Sequence, residues 1–343
     1  SSVANDYTSD SKNNLEEDPS SLLPMPFDRP RNEEEETALA QLRETLDPSS
    51  FSSTSLPDND ESAYFLSSDG TLLRFLRARK GKVKDATKMI HSTYKWRHES
   101  QPKDIVCPKC PSNPQAHCMR LVGWDKDGRP VLYFCYSLAN DCCDSGANIM
   151  HLIELLEKTT EMMEKRGGSD VNPTGKWVVI IDFAGYELKH NNPKTAVGFA
   201  KTLDHYPEQM GLCLLVNAPT IFSLVWAAAR RVLDPVTTKK VRFLTCDTTA
   251  EERWKPDLET NLGEEMASWL TSEIKENAMP ENKLTKKYWE WLDEDGNEKS
   301  HDSRGIASYV KSQYFISHVN PKFSTSASME EEKSDKDSAS TRL

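Results

Sequence analysis

The spacing of apolar positions changes about half-way along the chain. Up to about residue 166 apolar residues recur mostly every three or four positions, which is typical of amphipathic helices. We predict helices at Glu33–Leu46, Ser68–Arg79, Val83–Glu99 and Asn148–Arg166. Asp69 is the expected N-cap of the second helix. Between the third and fourth helices, Trp124–Pro130 has the composition of a hairpin turn and precedes a predicted strand at Val131–Cys135.

Farther along, short unbroken apolar runs alternate with helical patterns. The runs are the predicted strands Trp177–Ile181, Gly211–Val216 and Val241–Thr245. Predicted helices at Pro193–Leu203 and Thr220–Leu233 separate them. Strands without polar alternation are buried on both faces, as in a parallel sheet covered by helices. The sequence therefore predicts an α/β fold in which an N-terminal helical lobe precedes a mostly parallel sheet.

Composition divides the chain into four parts. Residues 1–31 form an acidic segment that we expect to be disordered, because it has too few apolar residues to make a core. Residues 32–102 form the helical lobe and residues 103–292 the sheet domain. Residues 293–343 are a C-terminal extension, partly disordered. Helices are expected from about 251 to 292, and their packing anchors are Trp254, Trp269, Tyr288, Trp289 and Trp291.

The negative charge of the protein is concentrated near its start. Residues 1–61 carry 15 acidic and 4 basic side chains, and the whole chain has a net charge of −11, so the remainder is neutral. Nucleic acid is not an expected partner, because binding it requires a basic face. The acidic N-terminal segment could instead recruit a protein.

Eight cysteines and the absence of a signal-peptide pattern favour reduced thiols and a cytoplasmic location. The sequence begins without Met, which leaves an upstream targeting segment open. No apolar run approaches the roughly 18 residues of a membrane span, so we expect transient, peripheral membrane contact.

Motifs of common enzyme classes are absent from the sequence. It contains no phosphate-binding loop, no dinucleotide-binding glycine motif, no nucleophile elbow and no H-E-x-x-H pair. We therefore expect a binding protein without catalytic residues or a cofactor.

Cys107 and Cys110 are candidate ligands of a metal site, because their spacing suits zinc. His117 and Cys118 follow, but adjacent residues at the start of a strand point to opposite faces. Cys142 and Cys143 come later in the chain. The sequence favours a plain cysteine-bearing loop with no metal, and whether Cys107 and Cys110 bind one stays open.

The strongest signal is a set of short motifs in a fixed order. The first is the basic helical segment Leu72–Lys80, which by periodicity alone would be an ordinary solvated helix face. The motifs are Leu72–Lys80, Lys95–Arg97, Asp125–Pro130, His205–Met210, Val216–Pro219 and Leu233–Thr237. In this order they resemble the CRAL-TRIO family of lipid-binding proteins over about Glu33 to Cys246, and the resemblance fades past Asp247.

This resemblance implies a deep apolar cavity in the sheet lobe and a helix that gates its mouth. A sheet lined by Val, Ile and Leu and incompletely covered by helices is also suited to hold acyl chains. The helix Thr220–Leu233 corresponds to the gate, where apolar bulk is followed by paired cations that suit an anionic bilayer. The expected gate and membrane-contact residues are Ile221, Phe222, Val225, Trp226, Arg230 and Arg231.

The resemblance also implies a headgroup site. Members that bind phosphatidylinositol hold its inositol phosphate with residues that correspond here to Arg79, Glu208, Thr237 and Lys240. The hydroxyl-bearing positions that serve choline lipids correspond to Leu121, Leu132, Trp177 and Val179, of which only the Trp indole can donate a hydrogen bond.

The leading functional prediction is binding of phosphatidylinositol and its transfer or presentation between membranes. One alternative keeps the fold but holds a sterol, tocopherol or retinoid. Another is a regulatory module for a kinase or small GTPase, with the acidic N-terminal segment as its contact.

Overall fold

The computed structural model describes residues 26–46 and 67–279, apart from positions 111, 114, 115, 118, 140, 142 and 166. Its helices are α1 (Glu33–Thr45), α2 (Asp69–Ala78), α3 (Val83–Ser100), α4 (Ser145–Lys165), α5 (Pro193–Leu203), α6 (Ser223–Arg230), α7 (Pro235–Lys239), α8 (Lys255–Leu262) and α9 (Glu264–Ala278). Its strands are β1 (Arg120–Trp124), β2 (Pro130–Cys135), β3 (Trp177–Asp182), β4 (Met210–Val216) and β5 (Val241–Leu244).

Helices α1 to α3 pack together as an N-terminal lobe with its own core. Leucines from α1 and α2 meet Ile90 and Tyr94 of α3, and all are buried. The lobe is fixed to the rest of the protein by an ion pair in which Arg97 on α3 donates two hydrogen bonds to Glu157 on α4, at 2.8 and 3.0 Å.

The sheet has five strands in the order β1-β2-β3-β4-β5. The hairpin pair β1 and β2 is antiparallel, and every later pair is parallel. A mostly parallel sheet behind a helical lobe was predicted and is confirmed. One face is covered by α8 and α9, where the Tyr133 hydroxyl donates to buried Asp182 at 2.7 Å and Trp269 packs edge-on against the Tyr133 ring.

Most element boundaries agree with the predictions to within two or three residues, with two corrections. The N-cap of α2 is Ser68, whose hydroxyl accepts from the Thr71 backbone N–H, and not Asp69. The predicted helix Thr220–Leu233 is a short 3-10 turn followed by α6, which ends at Arg230. After Arg230 the Val232 and Leu233 N–H groups both bond to the Ala229 carbonyl in a closing turn. Pro235 then disfavours helical backbone at Asp234, which caps the short helix α7.

The folded part also extends farther toward the N-terminus than the predicted boundary at Arg31. The Phe27 backbone N–H donates to Pro173 O at 2.7 Å, and its carbonyl accepts from Arg77 at 2.6 Å. Its ring lies 4.1 Å from the guanidinium of Arg74. Residues 26–31 therefore belong to the folded body. The predicted anchors Tyr288, Trp289 and Trp291 and the boundary at 292 lie outside the described residues.

Candidate functional site

An apolar cavity lies between the sheet and helices α4, α5 and α6. It encloses about 1240 Å³ of space, part of which is open to solvent at its mouth. Its floor is the sheet face opposite α8 and α9, and its walls are helix side chains. The apolar lining includes Phe134, Leu152, Leu156, Val179, Ile181, Phe199, Leu203, Leu215, Leu233 and Val241. A concave apolar space with few polar groups suits a hydrophobic ligand.

The α6 region, which corresponds to the predicted gate, forms one side of this cavity. Phe222, Val225 and Trp226 line the cavity. The Phe222 ring lies 4.6 Å from that of Phe183, and Trp226 packs edge-on against Phe243 at 5.6 Å. These three gate residues therefore face the interior, where a ligand would touch them.

Other side chains of the same region face outward. Leu224 is 70% exposed, Ile221 is 44% exposed, and Phe243 on the neighbouring strand is 55% exposed. Arg230 and Arg231 are exposed at the end of α6. The gate thus presents apolar side chains and cations together on its outer surface. Such a surface can insert into an anionic membrane interface.

A cluster of charged residues lies where three adjacent parallel strands begin. Lys176 directly precedes β3, Glu208 lies two residues before β4, and Lys240 directly precedes β5. Because parallel strands begin at the same edge of a sheet, these side chains meet there. Glu208 Oε2 lies 3.6 Å from Lys240 Nζ and 3.8 Å from Lys176 Nζ.

A further cation, Arg74 on α2, adds to this cluster. Its side chain is buried, and burial together with the nearby charge of Arg77 lowers its pKa to about 9, so it stays protonated at neutral pH. The charge of Glu208 acts in the opposite direction and favours the charged form of Arg74. Burial, followed by repulsion from Lys240, likewise lowers the pKa of Lys176. Two lysines therefore contact one carboxylate, and the charge of Arg74 acts on the same carboxylate as well as on Asp28 and Glu164. The two lysines beside Glu208 suit an anionic group.

Thr237 lies beside this cluster, because its carbonyl accepts from the Lys240 backbone N–H at 3.0 Å, whereas Arg79 lies at the end of α2. The Thr237 hydroxyl and backbone N–H both bond to the carboxylate of Asp234, which caps α7. Arg79 follows the last residue of α2, and its charge acts on Asp204, whose pKa is raised mainly by burial. Asp234 also acts on Asp204. The structure thus brings Glu208 and Lys240 into direct contact and links Thr237 to Lys240 by a backbone hydrogen bond. Arg79 instead bonds the Ala78 carbonyl and acts electrostatically on Asp204.

The sequence analysis missed Lys176 and Arg74 as members of the cluster. The sequence could have indicated Lys176, because this lysine directly precedes the apolar run of β3, just as Lys240 directly precedes that of β5. Arg74 lies in the basic motif Leu72–Lys80, but the spacing of apolar residues could not show which basic side chain of that motif is buried.

Family comparisons agree with this architecture. The model described as "CRAL/TRIO, N-terminal domain" matches residues 38–92, and that described as "CRAL/TRIO domain" matches residues 115–263. Together they span more than half of the chain. The chain belongs to the CRAL-TRIO family.

Curated relatives carry the same domain. A CRAL-TRIO domain-containing protein of Schizosaccharomyces pombe is 30% identical over 185 residues, covering 51% of this chain and 40% of that protein. The phosphatidylinositol transfer protein CSR1 of Eremothecium gossypii is 28% identical over 198 residues, covering 54% and 44%. Protein real-time of Aedes aegypti is 27% identical over 199 residues, covering 50% and 28%. The chain therefore matches less than half the length of each of these relatives.

A solved structure, the crystal structure of Sfh5, shares the fold. Its TM-score is 0.52 at 14% identity, and the alignment covers 86% of this chain and 98% of that one. Among the described residues of this CRAL-TRIO protein, no helix combines the length and apolarity needed to cross a membrane.

The four positions that the resemblance relates to a choline-lipid site are apolar, and only one of them lines the cavity. Of the four, Val179 lines the cavity, whereas Leu121 and Leu132 are buried beside it on β1 and β2. Trp177 is fully buried, and its indole packs edge-on against Tyr206 at 6.0 Å. No hydroxyl is therefore offered to a phosphate at these positions.

Proposed function

We propose that this protein binds one phosphatidylinositol molecule and carries or presents it between membranes. In this proposal the acyl chains occupy the cavity and the inositol phosphate lies against the charged cluster. The proposal rests mainly on the three charges at the starts of β3, β4 and β5. The cluster adjoins the cavity, because Val241 and Leu233, next in sequence to Lys240 and Asp234, both line it.

The chemistry of the cluster matches this headgroup. Lys240 and Lys176 carry donors for phosphate oxygens, and a hydrogen bond between charged groups is stronger than a neutral one. Glu208 can accept from inositol hydroxyls once a lysine turns to the phosphate. A ligand with both a phosphate and hydroxyls therefore uses the cations and the carboxylate at the same time.

Transfer between membranes is supported by the gate. Its inner residues Phe222, Val225 and Trp226 face the cavity, and its outer surface carries Leu224 and two arginines. Movement of this one element on contact with a bilayer would expose the cavity to lipid. The name of the related CSR1 protein, a phosphatidylinositol transfer protein, agrees with this role.

We place this role on the cytoplasmic side of membranes, without a chemical reaction and without a resident cofactor. None of the cysteines at described positions forms a disulfide, which is compatible with a reducing compartment. A sterol, tocopherol or retinoid would fit the cavity but would leave the charged cluster unused.

The deciding experiment has two parts. Lipids extracted from the purified full chain are identified by mass spectrometry, and transfer of labelled phosphatidylinositol and phosphatidylcholine between vesicles is then compared. We expect phosphatidylinositol to co-purify or load, and its transfer to exceed that of phosphatidylcholine. Equal transfer of the two lipids would contradict the headgroup assignment, and a sterol, tocopherol or retinoid as the bound ligand would favour the alternative.

A further inference from the structure

Two cysteines and two histidines converge away from the charged cluster. Cys107 and Cys110 lie on the irregular loop after α3, His117 lies at the end of that loop, and His151 lies on α4. One potential ligand atom from each residue lies within 4.8 Å of all the others. Cys107, His117 and His151 are buried, and Cys110 is half-buried, so the group is screened from solvent.

The distances inside this group match those of a metal centre. His117 Nδ1 lies 3.3 Å from Cys107 Sγ and 3.5 Å from Cys110 Sγ, and His151 Nδ1 lies 3.5 Å from Cys110 Sγ. Zinc with Zn–S of about 2.3 Å, Zn–N of about 2.0–2.1 Å and tetrahedral angles would place sulfur and nitrogen ligands roughly 3.6 Å apart. The observed separations are within a few tenths of an ångström of this value.

Hydrogen bonds alone do not explain why these two cysteines and two histidines lie so close together. His117 Nδ1 contacts two sulfur atoms, and Cys110 Sγ contacts two ring nitrogens. A ring nitrogen offers one lone pair or one proton, and a thiol has one proton, so these contacts cannot all be good hydrogen bonds together. One cation at the centre would satisfy all four ligands.

The surrounding groups prepare the ligands for a metal. His151 Nε2 lies 3.1 Å from the Met119 carbonyl and 3.2 Å from Arg120 Nη1. The guanidinium already donates to the same carbonyl at 2.7 Å, so a proton on Nε2 can also be donated there, which leaves the Nδ1 lone pair facing Cys110. The Cys107 backbone N–H donates to Glu154 Oε2 at 2.9 Å, which fastens the loop to α4.

We propose that Cys107, Cys110, His117 and His151 form a closed, tetrahedral structural zinc site. Two thiolates and two neutral imidazoles are a ligand set that zinc commonly takes, and four protein ligands leave no position for a substrate. The Cys-x-x-Cys pair differs from a redox pair, because two histidines complete its surroundings. The zinc would hold the loop against α4, whose Leu152 and Leu156 line the lipid cavity. This inference does not depend on the identity of the lipid.

The first test uses the unmodified full chain, purified under reducing conditions without chelator. Elemental analysis is expected to find about one zinc per chain. Exchange with Co²⁺ is expected to give the visible bands of a tetrahedral site and a thiolate charge-transfer band in the near ultraviolet. A folded chain that holds no zinc and gives no such cobalt spectrum would overturn the proposal, as would a Cys107–Cys110 disulfide in the metal-free native protein.

The second test uses variants with matched controls. Cys107→Ser/Cys110→Ser and His151→Asn are compared with Cys143→Ser and His98→Asn, which change the same residue types outside the group. Zinc retention against a competing chelator is expected to fall at least about tenfold in the ligand variants and to stay unchanged in the controls. Unchanged retention in the double cysteine variant would refute the site. If that variant does not fold, the cobalt spectrum of the unmodified chain still decides the question.

Discussion

The carboxylate of Glu208 lies 3.6 Å from the ammonium of Lys240, each just before one of two adjacent parallel strands. Glu208 has a backbone φ of +58°, a left-handed conformation that is uncommon for a residue other than glycine. Such conformations cost free energy and often occur where a side chain must be placed for function. A partly exposed ion pair contributes little to folding stability. The proposed headgroup site would account for this placement, because both the carboxylate and the ammonium would contact the ligand there.

Removing Lys240 of this cluster, or the predicted headgroup residue Arg79, should weaken phosphatidylinositol binding without unfolding the protein. Lys240→Ala and Arg79→Ala each remove a potential charge-assisted hydrogen bond to the phosphate, worth about 1.5–3 kcal/mol. We expect affinity and vesicle-to-vesicle transfer to fall roughly tenfold or more for each variant. Circular dichroism should show that the fold is kept.

The neighbouring lysines provide matched controls for this prediction. Lys239 and Lys82 are exposed and belong to the same segments as Lys240 and Arg79. Lys239→Ala and Lys82→Ala should leave transfer nearly unchanged, because isolated surface charges contribute little. If the double variant Arg79→Ala/Lys240→Ala transfers phosphatidylinositol at the unmodified rate, the headgroup lies elsewhere.

The order of elements could be predicted because burial leaves a clear pattern. Strands β3 and β4 lie in the middle of the sheet, and their unbroken apolar runs identified them. The end of α6 was missed because Arg231, Val232 and Leu233 continue a helical pattern, and only the capping of α7 by Asp234 ends it. Phe27 was missed because its polar, Pro-containing surroundings suggest a tail, while its contacts come from residues far along the chain.

The candidate sites were predictable only in part, because their residues come from distant segments. Glu208, Thr237 and Lys240 were named from the family resemblance, but nothing local showed that Lys176 would join them. Cys107 and Cys110 had suggestive spacing, whereas His151 on α4 gave no signal of its own. Its approach to the loop is a consequence of packing α4 beside β1, which the sequence pattern does not specify.

Leu224 offers a test of the membrane-facing surface. Its side chain is 70% exposed, so Leu224→Glu should leave the free energy of unfolding within about 0.5 kcal/mol of the unmodified value. If Leu224 inserts into the membrane, burial of its side chain contributes about 1.5–3 kcal/mol to the free energy of membrane binding. The substitution removes this contribution, so partitioning onto anionic vesicles should fall about tenfold or more. Vesicle co-sedimentation measures this. Val106→Glu, at a 50% exposed position on the loop after α3, is the control. Equal binding by both variants would place the membrane contact elsewhere.

Phe27 should stabilise the junction between the N-terminal segment and the body. Phe27→Ala removes the ring that lies 4.1 Å from the Arg74 guanidinium and should lower the free energy of unfolding by about 1–3 kcal/mol. Urea denaturation measures the change, and Arg29→Ala at an exposed neighbouring position is the control. Deleting residues 1–25 should preserve lipid loading, whereas deleting residues 1–31 should reduce stability. Equal stability of the two truncated chains would contradict a structural role for residues 26–31.

His205 should make the protein less stable in mild acid. Its ring stacks on Trp96 with centroids 4.2 Å apart, and its Nδ1 lies 3.2 Å from the Thr93 hydroxyl. Burial, with a smaller contribution from the charge of Arg97, lowers its pKa to about 4. In the unfolded chain the pKa returns to about 6.5.

The sign of the effect follows from these two pKa values. Above about pH 6.5 His205 is neutral in both states, and it adds no pH dependence. As the pH falls from about 6.5 to about 4, the unfolded chain binds a proton that the folded protein excludes, so stability declines. Below about pH 4 both states are protonated and this contribution levels off. Because the ring is partly exposed, we expect a loss of about 1–2 kcal/mol, less than the full shift would give.

A substitution isolates this contribution from that of the carboxylates, which titrate in an overlapping range. His205→Asn keeps a polar partner for Thr93 but cannot take up the proton. Urea denaturation at about pH 7 and about pH 5 should show a smaller acid-induced loss of stability in His205→Asn than in the unmodified protein. His98→Asn, which changes a half-buried histidine nearby on α3, should retain the full loss. If His205→Asn loses as much stability as the unmodified protein between the two pH values, the acid sensitivity arises from other groups.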